Sequence, residues 1–82
     1  DPFNWIMIHP LMTEEIRRQY PFDHAGIGET SLMLSLCPEV VDMQRLSATE
    51  WYTRTAADAS AELGDKGRDL ILAQMRHVLT AI

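Results

Sequence analysis

Basic residues are scarce in this chain: seven Lys and Arg stand against twelve Asp and Glu in 82 residues, giving a net charge of −5 and a pI near 4.9. They are scattered or fall in isolated pairs such as Arg17-Arg18, so no basic face exists of the kind nucleic acid requires, and no nucleic-acid partner is expected. Cysteine is rarer still. With Cys37 alone, no disulfide can close within the chain; this usage leans to a reducing compartment, and the expected location is cytoplasmic. Aromatics make up 7%, and no apolar run approaches the roughly 20 residues of a membrane span, so no membrane partner is expected. The 46% hydrophobic content nonetheless belongs to a globular sequence rather than a disordered one. A chain of this size buries only about 60% of the surface it exposes when unfolded, so its own core would be thin and a partner is expected to complete it. Asp1-Pro2 is neither an initiator methionine nor the charged start of a signal peptide, which leads to the expectation that polypeptide upstream was removed or is encoded separately.

Proline and glycine punctuate what is there. Phe3-Asn4-Trp5-Ile6-Met7-Ile8 is aromatic and branched with little polar alternation, and reads as one β-strand buried on both faces. From Pro10, residues 11–18 read as a helix with acidic residues early and basic ones late, stopping before Pro21. Residues 20–28 form a loop, residues 29–36 a helix that Pro38 prevents from continuing, and residues 39–55 carry no assignable pattern. Over 56–82 the apolar positions Leu63, Gly67, Leu70, Ile71, Met75, Val78 and Ile82 recur at steps of three and four, one face of a closing helix. Gly64 and Gly67 would each cost that helix about 1 kcal/mol relative to Ala, so they are expected to permit close approach to another element. A single apolar strand leaves its ladder groups unpaired, which makes the chain the expected part of a larger α/β unit.

The stretch with most chemistry is His24-Ala25-Gly26 followed by Glu29-Thr30-Ser31. It sets an imidazole, glycines and a carboxylate at the mouth of a helix, where free N–H groups would favour negative charge. Blander roles are available to each residue. A loop histidine is often a solvent-exposed or capping residue, Glu29 suits a first helical turn, and Asp23 reads as a solvated loop carboxylate. His9 and His77 read as surface residues, and the methionines as core filling rather than a soft-metal site. An acidic helical interaction module, docking through Ile71, Met75, Val78 and Ile82, is the alternative from another functional class.

These residues also carry a resemblance. His24-Ala25-Gly26-x-x-Glu29-Thr30-Ser31-Leu32-Met33-Leu34, then Pro38-Glu39-Val40-Val41, resembles the HAGxxETSLML…P-[DE]-LV signature of the creatininase (creatinine amidohydrolase) family, and Ala59-Ser60-Ala61-x5-Gly67-x2-Leu70-Ile71 is similar to its closing helix. The resemblance implies a layered α/β fold with a mainly parallel sheet, of which residues 1–82 would be the C-terminal segment, one strand and about three helices, completed by a separate N-terminal polypeptide. It implies a zinc or manganese pair whose ligands lie mostly in that missing part, with none assigned here. It implies hydrolysis of a C–N bond in a cyclic amide or a formamide-type small molecule, by an assembly that is a higher oligomer. On the family's pattern His24 matches the catalytic histidine, assisting attack by a metal-bound hydroxide, and Glu29 the acidic residue five positions on, a second catalytic candidate that either orients the imidazole or binds substrate. Trp5 is similar in position to a tryptophan of the substrate pocket, with Tyr20 and Asp23 the further substrate-side candidates. The chain departs where creatininase has a Trp-Asp pair that contacts substrate: Tyr20 and Pro21 stand there, which argues against creatinine itself.

Overall fold

A computed structural model describes residues 8–46 and 50–81. Three α-helices carry the fold: α1 (Glu14–Gln19), α2 (Ile27–Leu36) and α3 (Ala61–Ala81). Short 3₁₀ turns at Pro38–Val40 and Met43–Arg45 and a longer 3₁₀ segment at Trp51–Asp58 connect the last two.

Each start has a local cause. Thr13 delays α1 beyond Pro10, because its hydroxyl accepts the Ile16 N–H at 3.3 Å and sets the first turn at Glu14. The helix ends at Tyr20, which is extended ahead of Pro21. Helix α2 stops at Leu36, as Pro38 requires. Helix α3 begins five residues later than its apolar spacing suggests: Ser60 accepts the Leu63 N–H at 3.1 Å, and residues 51–58 wind instead as 3₁₀ helix.

Helix α2 lies directly on α3. Gly64 makes this contact possible, since a Cβ there would run into the backbone carbonyl of Ser31. Ser31 is wholly buried in the crossing, and its hydroxyl accepts the Ser60 N–H at 3.0 Å, joining α2 to the start of α3. Gly67 is the second point of approach, where a Cβ would stand 2.6 Å from the Tyr20 ring. Ile16, Tyr20 and Ala56 are the buried apolar residues among those described, a thin core.

This architecture corrects the expected α/β fold. Among the described residues there is no strand and no sheet; the protein is a small helical one. The α/β expectation rested on residues 3–8, whose first five lie outside the described residues, while Ile8 is 92% exposed and outside regular structure. The physical reason lies in α2 and α3, which meet directly at Gly64 and Ser31, so that the two helices pack on one another with no sheet between them. No helix among the described residues is long and apolar enough to cross a membrane.

Candidate functional site

The loop between α1 and α2 is fastened by Asp23. Its carboxylate accepts the backbone N–H groups of Gly26 at 3.2 Å, Gly28 at 2.7 Å and Glu29 at 3.0 Å. The remaining N–H of this first turn, on Ile27, donates to Thr55 Oγ1 at 3.0 Å, and Thr30 N–H makes the first helical bond to the Gly26 carbonyl at 3.0 Å. The helix start that the sequence leaves open to an outside anion is therefore filled from within the chain. Small residues are needed here: a Cβ on Gly28 would collide with the Pro21 carbonyl, and one on Gly26 would stand 2.6 Å from Thr55 Oγ1.

Between the capping carboxylate and the helix, Ala25 adopts φ 55°, the left-handed region that an L-residue enters at a cost of roughly 1–2 kcal/mol. Thr30 Oγ1 donates to the Ala25 carbonyl at 3.3 Å and helps to hold it there. Non-glycine strain of this kind persists where surrounding contacts over-determine it, and such positions cluster at functional sites. Its neighbour His24 is exposed, with its imidazole 5.5 Å, centroid to centroid, from the Tyr52 ring at 37° between planes. Trp51 stands edge-on to Tyr52 at 5.7 Å and 90°. An open groove of about 320 Å³ borders the loop, with Ala25 and Thr30 on one wall and Val41, Met43, Leu46 and Ala56 among its other lining residues.

The remaining sequence candidates are placed as follows. Glu29 is exposed on the first turn of α2, its N–H bound to Asp23 and its carboxylate making no hydrogen bond with His24 among the described residues. Tyr20 is 2% exposed and its hydroxyl donates to the Gly28 carbonyl at 2.6 Å. Burial first, and the Asp23 charge second, push its phenol above the ordinary value of about 10. Tyr20 thus supports the loop from beneath, and Asp23 from its capping position. Trp5 lies outside the described residues. Cys37 stands apart at the end of α2, its thiol donating to Glu39 Oε1 at 3.0 Å, a bond that raises the thiol and lowers the carboxyl from their usual values. Tyr52, Trp51 and Thr55 were not singled out by sequence; a Trp-Tyr pair in a polar stretch was the only signal they offered.

Among the described residues, no group of three or more His, Cys, Asp or Glu could hold a metal ion. The described part of the chain does not itself fit the zinc or manganese pair that the resemblance implies. Compared with family models, with curated proteins and with solved structures, the chain finds no match in any of the three.

Proposed function

We propose that this chain supplies the proton-handling imidazole of a hydrolase that cleaves a C–N bond in a cyclic amide or formamide-type small molecule, in the manner of the creatininase family that its His24 to Val41 stretch resembles. The observation that carries the reading is the loop itself: an exposed His24 followed by a left-handed Ala25, in a turn whose next residues are fastened by the Asp23 carboxylate through the N–H groups of Gly26, Gly28 and Glu29. A loop with no task has little reason to keep that strain. In the reaction, water's oxygen joins the carbonyl carbon while His24 takes up one of the water's protons, the C–N bond breaks, and the imidazole hands that proton to the departing nitrogen. The groove beside Ala25 and Thr30 receives the body of the substrate. Glu29, exposed one turn along, approaches substrate rather than the imidazole.

The rest of the site, including the ligands for a zinc or manganese pair, is supplied by a separate N-terminal polypeptide, in a cytoplasmic enzyme of higher oligomeric order. Apolar side chains left exposed support such a partner: Phe22 at 67%, Trp51 at 75% and Leu79 at 67%.

The test is His24→Ala in the complete enzyme, assayed on cyclic amides and formamides with hydantoin and formanilide among them. The expected result is a kcat at least 10²-fold lower with folding and metal content unchanged. Turnover close to that of the parent, or no turnover of any such amide by the parent, overturns the reading.

A further inference from the structure

The 3₁₀ segment Trp51–Asp58 is tied to the start of α2, beside the His24 loop, by the bond from Ile27 N–H to Thr55 Oγ1 at 3.0 Å. In a 3₁₀ helix residues three apart lie one above the other, so anchoring Thr55 brings Tyr52 to the same side of the segment. The segment cannot easily turn away. Ala56 is buried, and Thr53 donates to the Glu50 carbonyl through its N–H at 3.1 Å and its hydroxyl at 2.9 Å. The outcome is a row of three rings: Trp51 edge-on to Tyr52, and Tyr52 tilted against His24. The edge-on Trp51–Tyr52 pair is an arrangement that aromatic quadrupoles favour, and the tilted Tyr52–His24 pair lies within the same range of centroid separation.

We infer, resting on the hydrolytic reading of His24, that Tyr52 is a positioning residue which holds the imidazole in its working orientation, braced in turn by Trp51. An exposed histidine otherwise samples several staggered rotamers, and a reacting group displaced by about 1 Å can lose 10²-fold in rate. His24 has no hydrogen bond among the described residues to restrain it, so the ring contact is its restraint. The ring, and not the hydroxyl, carries this role, because the contact is between the two rings, tilted 37° to one another. Phenylalanine should therefore replace Tyr52, and leucine should not.

Two readouts on the complete enzyme test this: the NMR resonances of the His24 ring protons, assigned with His24→Gln, and the kinetics of amide hydrolysis. Tyr52→Leu is expected to move the resonances toward those of an unstacked histidine and to lower kcat about tenfold with KM within about twofold, while Tyr52→Phe leaves both near the parent values. Since Tyr52 is 38% exposed, the exchange to Leu should not unfold the chain, and the remaining amide resonances verify that. The positioning role is overturned by Tyr52→Leu leaving the resonances in place, by its moving them without lowering kcat, or by Tyr52→Phe costing as much as Leu. Failure of the hydrolytic reading shows separately, as undiminished turnover by His24→Ala, and the ring-proton shifts still report whether Tyr52 holds the imidazole.

Discussion

Tyr20 ties three parts of the molecule at one residue. Its ring lies against Gly67 of α3, its hydroxyl donates to the Gly28 carbonyl of α2, and its backbone N–H closes α1 on the Ile16 carbonyl at 2.9 Å. Because burial and Asp23 hold the phenol protonated above its ordinary value of about 10, the unfolded chain loses this proton first as the pH rises. The contribution is whole below about pH 10 and declines as the pH climbs from there toward the raised folded value. Tyr20→Phe should cost about 1 kcal/mol at neutral pH and abolish this phenol's share of the alkaline decline, both read from urea midpoints across pH. A variant whose stability falls with pH as steeply as the parent's would show that another group carries the slope. At this scale the sequence disclosed identities but not partners. His24, Asp23 and Glu29 stood out as chemical groups, yet nothing local indicates that the Asp23 carboxylate would bend onto three backbone N–H groups, since that depends on the loop's turn and on the small residues at 26 and 28.

Among elements, the decisive contact is the crossing of α2 and α3. Gly64→Ala gains about 1 kcal/mol in helix propensity but places a methyl group against the Ser31 carbonyl, a backbone atom that cannot rotate aside. The helices must separate, and a net loss of about 1–3 kcal/mol is expected. Asp69→Ala, on the exposed side of α3, should stay within about 0.5 kcal/mol. Equal urea midpoints for the two variants would mean the helices do not meet at Gly64. Two of these features were legible, because Gly64 and Gly67 are costly inside a helix and so mark a close approach, and Pro38 forbids continuation. The segment Trp51–Asp58 was not, because a 3₁₀ helix has neither the 3.6-residue nor the two-residue period by which elements declare themselves. The sheet inferred from one apolar run failed for a related reason: an apolar run is a statement about burial, and does not say against what.

For the whole molecule, the balance between covered and uncovered apolar surface is the governing fact. Ile16, Tyr20 and Ala56 are buried, whereas Phe22, Leu36, Val40, Trp51 and Leu79 are each more than half exposed. On its own the chain should associate as its concentration rises and bind a hydrophobic dye, as sedimentation velocity and dye fluorescence would register. A monodisperse monomer with cooperative unfolding would show that this surface needs no partner. The filled first turn of α2 has a further consequence, in the exchange of amide hydrogens with solvent. Helix starts ordinarily fray, and their first amides exchange freely. Here the amides of Gly26, Ile27, Gly28 and Glu29 are all bound to Asp23 or Thr55, so none is released until the His24 loop or the 51–58 segment lifts away. The Ile27 amide therefore reports the lifting of the 51–58 segment and the Gly26, Gly28 and Glu29 amides the release of Asp23, so exchange at four consecutive residues reads separately the two pieces of chain that flank the imidazole.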